Sequence, residues 1–352
     1  MRATLLPPVP PGSGLAVTAP APGRTGAPAL VPILVLLLVL MLAGCAPAGD
    51  DRRAVFAVFG TEVEVQLRET SEADAALVFG DIGRMLQAMH HELHPWEAGA
   101  LTELNAALAA GRAHKAGDDI VELIRASQRL EAASQGTFNP AIGQLVGLWG
   151  FHTSNYPITD PPPPDRRIDE LVAASPSALD LTLDGAIVET VNLAVQLDFS
   201  GIAKGLAVKR ACRLVGAHGI ASAMVNAGGD VMVCGAGSGD RPWRVAIRGD
   251  RAAVLETLEI DRPMAVFTSG NYYRFGEFDG TRYAHILDPA TGRPVDEVIQ
   301  ATVVHADPLL ADAGATALVV AGTSRWRQVA RGLGIDRAVV IDQAGNVERI
   351  RD

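Results

Sequence analysis

The chain has 352 residues, which permits one large domain or two smaller ones with enough length for a buried core. Hydrophobic residues make up 48% of it and charged residues 20%, a balance typical of globular rather than disordered proteins. The formal net charge is -10 and the sequence holds no basic stripe, which excludes extended contact with nucleic acid phosphates.

Residues 1–45 have the pattern of an export signal. Residues 1–30 are rich in Pro, Gly and Ala, and the apolar run at 31–42 is too short for a comfortable membrane span. The run leads into Leu42-Ala43-Gly44-Cys45, which resembles the lipobox where bacterial lipoproteins are cleaved and acylated. We expect a signal peptide over 1–44 and a lipidated Cys45 with a tether over 45–53; an uncleaved anchor is the alternative. Either one places the body of the protein outside the cytoplasm, at a membrane surface.

The predicted elements begin with a strand or hairpin over 54–67, where apolar and polar residues alternate around Gly60. Helical spacing of apolar residues predicts helices over 71–93, behind a Ser71 cap, and over 118–133. Four prolines at 161–164 indicate a surface loop, or alternatively a domain boundary. The rest is predicted to form helices at 202–217 and 308–320 and short strands at 179–183, 186–190, 195–199, 221–226, 231–234, 243–248 and 254–260.

This mixture of paired β runs and long helices predicts the fold class α+β, with largely antiparallel sheets and packed helices. Two cysteines remain after Cys45, namely Cys212 in a predicted helix and Cys234 near the end of a predicted strand. Export would allow a disulfide between them, and two separately buried thiols fit the sequence equally well.

The first chemical motif is the turn at 198–205, where an apolar run ends and a helix follows. A helix entered through Ser200 and Gly201 presents free backbone N–H groups and a positive dipole end, which suit a phosphate oxygen. Lys204, in the first helical turn, would add positive charge at the same place. The alternative is a solvated lysine.

The second motif places Asp312 and Thr316 four residues apart on one helical face, with small residues between them. A carboxylate and a hydroxyl that converge there suit a hard cation that keeps some water and binds substrate phosphate. Alternatively, Asp312 is an early-helix charge and Thr316 a core-facing hydroxyl.

A third candidate is His285, at the end of a predicted strand, because histidine accepts protons near neutral pH. A purely structural histidine is the alternative. His90 and His94, four apart on a helix, could bind a metal, although a solvated face is favoured. The turns at 226–230 and 268–272 either approach a ligand or only connect strands.

Taken in order, these segments resemble the ApbE family of FAD:protein FMN transferases. Each motif is modest alone, and the resemblance rests on their sharing the family's order: 59–61, 136–140, 198–205, 226–229, 268–272, 285–292 and 311–317. It covers roughly residues 54–345. The resemblance implies a single family domain over 54–352 with a T-fold-like core.

The resemblance also implies the residues of two binding sites. The implied Mg²⁺ ligands are Asp312, Thr316 and the carbonyls of Gly201 and Ala315. The implied flavin contacts are Phe59, Trp96, Thr137, Phe138, Asn139, Asp198, Lys204, His285 and Ile286. Three of these depart from the commonest family pattern, which has Met, Tyr and Asp where this chain has Phe59, Trp96 and Asn139. Phe and Trp rings can still stack on a flavin, and Asn can donate as well as accept.

The implied reaction is Mg²⁺-dependent cleavage of FAD, the substrate, with FMN transferred to a Ser or Thr hydroxyl of an acceptor protein and AMP released. His285, Lys204 and Asp288 are the expected catalytic residues, with His285 as base. The acceptor is expected to be a flavoprotein or a membrane redox subunit with a Ser/Thr flavinylation motif. The enzyme is expected in the cell envelope, lipid-anchored and facing the periplasm or the outside. Two alternatives stay open: an FAD pyrophosphatase giving FMN and AMP, and a flavin-binding lipoprotein without catalysis.

Overall fold

A computed structural model describes residues 50–237, 241–249, 253–271 and 274–351. The predicted signal peptide, Cys45 and the first part of the predicted tether lie outside these residues, as does Tyr272 of the turn at 268–272. In the part of the chain that is described, no helix is both long and apolar enough to cross a lipid bilayer.

An antiparallel sheet of eight strands forms the centre of the fold. The strands of the described chain are β1 (Arg52–Val58), β2 (Thr61–Leu67), β3 (His114–Lys115), β4 (Leu181–Asp184), β5 (Ile187–Thr190), β6 (Ala223–Ala227), β7 (Asp230–Val233), β8 (Trp243–Arg248), β9 (Val254–Ile260), β10 (Met264–Gly270), β11 (Phe275–Phe278), β12 (Thr281–Ala284), β13 (Leu287–Asp288), β14 (Arg293–Pro294), β15 (Val298–His305), β16 (Ala338–Asp342) and β17 (Val347–Ile350). The order in the large sheet is β1-β2-β6-β7-β10-β15-β16-β17, and every neighbouring pair is antiparallel.

Helices pack on one face of this sheet. The helices of the described chain are α1 (Glu72–Glu92), α2 (Ala100–Ala109), α3 (Asp118–Ala133), α4 (Gly143–Leu148), α5 (Asp165–Ala173), α6 (Ala203–Ala217) and α7 (Pro308–Leu333). Helix α7 lies on β10 and β15, α6 lies on β6 and β7, and the two helices contact each other. The predicted class, α+β with antiparallel sheets and packed helices, is confirmed.

The opposite face of the sheet is covered by the β8–β9 hairpin. Val231 and Val233 of β7 pack with Trp243 of the hairpin, whereas Met232 between them belongs to the core under the helices. Successive residues of a strand point to opposite faces, so this alternation shows that both faces of β7 are buried. Helices α6 and α7, which carry predicted site residues, therefore pack on a sheet whose opposite face is also covered.

Local signals set several elements where the sequence predicts them. Helix α3 has the predicted bounds, and α1 begins after Ser71, whose side chain accepts a 3.1 Å hydrogen bond from the Asp74 N–H. The predicted hairpin is β1–β2, joined by Phe59 and Gly60, both with positive φ. That conformation is unfavourable for a phenylalanine, so the turn holds Phe59 in a fixed, costly position.

The strand predicted over 195–199 is wrong. This segment lies in extended form, but only Gln196 forms an isolated bridge, with Ile142. Its backbone bonds irregularly to residues 140–143, with the Gln196 N–H donating to the Ala141 carbonyl at 3.1 Å, and a side chain supplies its other partner. The Asn105 amide donates to the Leu197 carbonyl at 2.9 Å and accepts from the Leu197 N–H at 2.8 Å.

Helix α7 continues beyond the predicted end at 320. It breaks at Gly322, where φ is 67° and ψ is -178°, and a second helical segment follows. A Glu297 carboxylate oxygen accepts hydrogen bonds from the Thr323 N–H, at 3.0 Å, and from its hydroxyl, at 2.9 Å. A distant residue thus caps the second segment, which local sequence signals could not reveal.

Cys212 of α6 and Cys234, just after β7, form a disulfide. Of the two alternatives the sequence left open, the structure has the bonded pair. The bond fastens the second half of α6 to the end of β7. The first residues of the same two elements carry Lys204 and Asp230, so the disulfide holds together elements that meet again at the candidate site.

Candidate functional site

The predicted phosphate turn and the predicted metal helix meet in the structure. Asp312, on α7, accepts a 2.8 Å hydrogen bond from the backbone N–H of Gly205, on α6, across 107 residues of sequence. A Cβ atom built on Gly201 would lie 3.5 Å from the Thr316 hydroxyl, so the turn before α6 touches α7 again one helical turn later. The approach requires a glycine at position 205, where a Cβ would lie 2.5 Å from the Pro308 carbonyl oxygen.

Lys204 is a partly buried partner of carboxylates rather than a freely solvated lysine. Its ammonium pairs with Asp230, the first residue of β7. The other oxygen of Asp230 accepts a 2.8 Å hydrogen bond from the Thr268 N–H on β10. Burial lowers the pKa of Lys204, but Asp230 and Asp312 outweigh burial and the pKa is raised overall. Lys204 therefore keeps its proton, and its charge is balanced inside the protein.

For Asp312, unlike Lys204, the surroundings favour the neutral form. It is only 3% exposed, and burial raises its pKa to about 7, although Lys204 and the Gly205 N–H favour the charged form and Asp230 opposes it. One lysine and two carboxylates share this place, which leaves a net negative charge when both acids are ionised. Such a group of residues attracts a cation.

The start of α6 offers fewer free N–H groups than the sequence predicts. The Ala203 N–H donates to the Phe199 carbonyl at 2.8 Å, and the Gly205 N–H donates to Asp312. The helix begins at Ala203 without a side-chain cap. Two backbone donors that could have bound phosphate are thus occupied within the protein.

A row of aromatic rings connects two of the residues implied as flavin contacts. Phe59 lies edge-on to His90 at 5.6 Å between ring centroids, His90 to His94 at 5.4 Å, and His94 to Trp96 at 4.5 Å. His90 and His94 are therefore part of an aromatic row and not of a solvated face. We call Phe59, His90, His94, Trp96 and His152 the aromatic row.

The row ends on a buried carboxylate. Trp96 stacks on His152 at 5.4 Å with 22° between the ring planes, and His152 Nε2 lies 3.2 Å from Asp198. Burial raises the pKa of Asp198, but the bonds from His152 and Ser200 outweigh burial and lower the pKa overall. Asp198 is thus an ionised anchor for the row.

Two cavities open along the row, and both have the size of small-molecule sites. One of about 400 Å³ lies beside Trp96 and His152 and reaches Asn105 and Gln144. The other, of about 560 Å³, lies beside His90 and the Gly60 turn. Space and stacking surfaces for a planar ring system therefore occur together.

The segment 137–139 contributes in different ways. The Thr137 hydroxyl donates to the Ser134 carbonyl at 2.9 Å, and Phe138 is buried with its ring edge 3.5 Å from a Cβ built on Gly201. Both Asn139 amide atoms are used inside the chain, donating to Pro176 and accepting from the Ala141 N–H, each at 2.8 Å. Phe138 thus lies at the Gly201 turn, while Asn139 holds the loop in shape.

His285 lies next to Ile286, which is buried in the main core. Its Nδ1 lies 3.0 Å from the Arg274 carbonyl. Because a carbonyl only accepts, Nδ1 carries the hydrogen and Nε2 is left as an acceptor. Burial and the Arg274 charge lower the pKa of His285 to about 4. Asp288, the other candidate in this segment, accepts a 2.9 Å hydrogen bond from the Ala290 N–H and shapes the following turn.

Known proteins share this arrangement of segments. The sequence model of the ApbE family matches residues 59–339. The chain belongs to the ApbE family.

Individual ApbE relatives match along most of this chain. A protein of Rhodobacter capsulatus named FAD:protein FMN transferase is 39% identical over 324 residues, 89% of this chain and 60% of its own length. One of Treponema pallidum with the same name is 31% identical over 351 residues, 90% of this chain and 94% of that protein. The crystal structure of the ApbE protein of Thermotoga maritima has a TM-score of 0.76 at 27% identity, covering 85% of this chain and 97% of that one. This chain thus spans about 60% of the Rhodobacter relative and nearly all of the other two.

The residues implied as metal ligands in this ApbE chain fit a hard cation. They offer only oxygen: the Asp312 carboxylate, the Thr316 hydroxyl and the carbonyls of Gly201 and the fully buried Ala315. The Thr316 hydroxyl is also 2.9 Å from the Ser269 hydroxyl. No cluster of three His, Cys, Asp or Glu suited to a metal occurs among the described residues. A single carboxylate with neutral oxygens is the kind of site where Mg²⁺ keeps water and binds substrate phosphates.

Two residues of the site escape sequence reasoning. His152 lies in a loop after α4 with no neighbouring motif, and only the fold brings it to Asp198 and Trp96. Asp230 stands in the glycine turn at 226–230, and its signal was a carboxylate at the start of an otherwise apolar buried strand. A buried acid in that position needs a cationic partner, which here is Lys204.

Proposed function

We propose that this protein is an FAD:protein FMN transferase. It binds FAD, breaks the diphosphate, attaches FMN to a Ser or Thr hydroxyl of an acceptor protein and releases AMP. One observation supports this most: the Gly201–Lys204 turn meets Asp312 and Thr316. The ApbE relatives named for this activity supply the reaction.

Asp312 and Thr316, with the Gly201 and Ala315 carbonyls, would hold a Mg²⁺ ion. When bound, the ion supplies charge neutralisation and orientation for the phosphate oxygens. The partly buried Lys204–Asp230 pair supports this site by fixing α6 against β7, so that Gly205 can hold Asp312 in place. The protein's own contribution is therefore a rigid, pre-shaped surface for the diphosphate.

Trp96 supports binding of the flavin ring because it lines one cavity, and Phe59 because it lies edge-on to His90, which lines the other. Asp198 would anchor the end of the aromatic row through His152. The isoalloxazine is a planar, largely apolar ring system, which suits such stacking surfaces. Phe138 and Ile286 add buried apolar surface near the turn and His285.

His285 would accept the proton of the acceptor hydroxyl. Its Nδ1 hydrogen is held by the Arg274 carbonyl, which leaves Nε2 free to accept. Its lowered pKa keeps the ring neutral at physiological pH, as a base must be. Asp288 would act at a distance, by shaping the turn that follows His285, and Lys204 by stabilising the site's charge.

The place of action is proposed to be the cell envelope. The apolar run and lipobox-like segment ending at Cys45 would export and anchor the chain, with a tether over 45–53 before the single domain of 54–352. The Cys212–Cys234 disulfide supports an oxidising compartment such as the periplasm. A membrane redox subunit or flavoprotein with a Ser/Thr motif would be the acceptor there.

The test is an Asp312→Ala variant. Purified protein is incubated with FAD, MgCl₂ and membranes from source cells lacking this chain, and mass spectrometry searches for a protein-bound FMN adduct. We expect the wild type to form the adduct and Asp312→Ala to lose it. Asp169→Ala, at an exposed acid of α5, should transfer as the wild type does.

A second function, FAD pyrophosphatase, needs the same residues and water in place of the acceptor. The same incubation without membranes distinguishes the two. If free FMN and AMP accumulate without acceptor as fast as FAD is cleaved with it, the protein is a hydrolase and not a transferase. FAD that stays intact in every mixture would leave only a flavin-binding protein.

A further inference from the structure

A diphosphate needs more positive charge than Lys204 can provide. Its ammonium is already paired with Asp230, and Asp312 lies near the same charge. Two N–H groups at the start of α6 are also occupied. A divalent cation would balance the excess carboxylate and leave one positive charge for a substrate group that carries two negative ones. One further cation is required at the site.

Arg274, just before β11, lies where such a cation is needed. Its carbonyl accepts from His285, and its Nη2 would be 3.4 Å from a Cβ built on Gly60, next to Phe59. The guanidinium is 6.0 Å from the centre of the Tyr156 ring. Its charge disfavours protonation of both His285 and Lys204, although the two aspartates keep the pKa of Lys204 raised overall. Arg274 therefore shares the space between the flavin turn and the candidate base.

The guanidinium of Arg274 has no acidic partner among the residues that the structure describes. It forms no salt bridge there, and none of its N–H groups donates a hydrogen bond there, although the residue is partly buried. The partly buried Arg210, by contrast, contacts both Asp119 and Glu122. A guanidinium that has no carboxylate partner in the described chain and lies between the Gly60 turn and His285 is positioned for an external anion.

We propose that Arg274 binds the diphosphate of FAD. The planar guanidinium can donate two parallel hydrogen bonds to phosphate oxygens, which fixes the diphosphate against Lys204 and α7. Gly60 leaves the guanidinium room beside the β1–β2 turn. The ligand class is a flavin diphosphate ester, and naming FAD rests on the proposed function.

The experiment compares FAD with riboflavin, which has the same ring and no phosphate. Calorimetric titrations are done in metal-free buffer without acceptor, so that no turnover occurs. In Arg274→Gln we expect the Kd of FAD to rise about tenfold to a hundredfold, the range for lost charge-assisted hydrogen bonds. The Kd of riboflavin should change less than about twofold, the range of uninvolved substitutions.

Two further variants keep the test decisive. Arg274→Lys keeps the charge, and we expect it to weaken FAD alone and by a smaller factor, since lysine cannot form the paired bonds. Arg166→Gln, at an exposed arginine of α5, should leave both ligands unchanged. Unchanged FAD binding in both Arg274 variants, or equal weakening of FAD and riboflavin, would overturn the proposal.

These binding measurements are independent of the transfer assay. Arg274-dependent FAD binding without FMN transfer would end the proposed function and leave this subsite in place. FMN transfer together with FAD binding that is unchanged in the Arg274 variants would overturn the Arg274 subsite and leave the proposed function in place.

Discussion

A substitution at Gly205 tests the contact on which the site depends. In Gly205→Ala, the new Cβ would lie 2.5 Å from the Pro308 carbonyl oxygen and 3.0 Å from the Leu309 Cα. An ordinary carbon–oxygen contact needs about 3.3 Å, so α6 and α7 must separate by about 0.8 Å. Overpacking of this kind costs about 1–3 kcal/mol, and a weakened bond from the residue-205 N–H to Asp312 adds about 1 kcal/mol.

We therefore expect Gly205→Ala to lower the free energy of unfolding by about 2–4 kcal/mol. FMN transfer should fall about 100-fold, because a shift near 1 Å misplaces the reacting groups. Urea denaturation followed by circular dichroism measures the first, and adduct formation at a temperature where the variant is folded measures the second.

The matched control is Gly216→Ala, in the same helix. A Cβ there would meet nothing within 4 Å, so the alanine gains only helix propensity, up to about 1 kcal/mol. The same Gly→Ala change should thus lower the free energy of unfolding at position 205 and raise it at position 216. A Gly205→Ala protein as stable and active as Gly216→Ala would refute the close contact between α6 and α7.

Two further predictions concern protons and the disulfide. Because the pKa of His285 is about 4 in the fold and 6.5 in the free side chain, the unfolded chain binds more protons between these values. Stability should fall as pH drops from 6.5 to 4, and less steeply in His285→Gln; equal slopes in urea titrations across this range would contradict the buried neutral ring. Reduction of the disulfide, which closes a separation of 22 residues, should cost about 3 kcal/mol. Dithiothreitol should lower the melting temperature of the wild type and leave unchanged that of the double variant Cys212→Ala with Cys234→Ala. If the melting temperature of the wild type does not change either, the disulfide does not stabilise the fold.

The sequence predicts the elements whose local signals agree with their packing. Helix α3 has its predicted bounds because its apolar spacing and its surroundings demand the same face. The segment at 195–199 has an equally clear local pattern and is not a strand. Its hydrogen-bond partners are the Asn105 side chain, 92 residues away, and the backbone at 140–143, and no short window of sequence contains them all.

The candidate site divides in the same way. The contact of the Gly201 turn with Asp312 and Thr316 follows from motifs that hold their chemistry within a few residues. The role of Asp230 is visible only when the fold shows its buried carboxylate paired with Lys204. The role of Arg274 is visible only when the fold shows its guanidinium without an acidic partner among the described residues. Burial and ion pairing are properties of the folded chain. A motif taken alone therefore suggests that the Lys204 ammonium is free to bind phosphate, although it is paired with Asp230.

The tryptophans of this protein differ in a way that makes the aromatic row visible to spectroscopy. Trp149, Trp243 and Trp326 are 7%, 5% and 1% exposed, whereas Trp96 is 37% exposed. A dissolved quencher such as acrylamide reaches Trp96 far more readily than the other three. The quenchable part of the emission therefore originates within the aromatic row, and a ligand that covers Trp96 would shield it. Occupancy of the cavity beside it can be followed by this intrinsic optical signal, without any attached label.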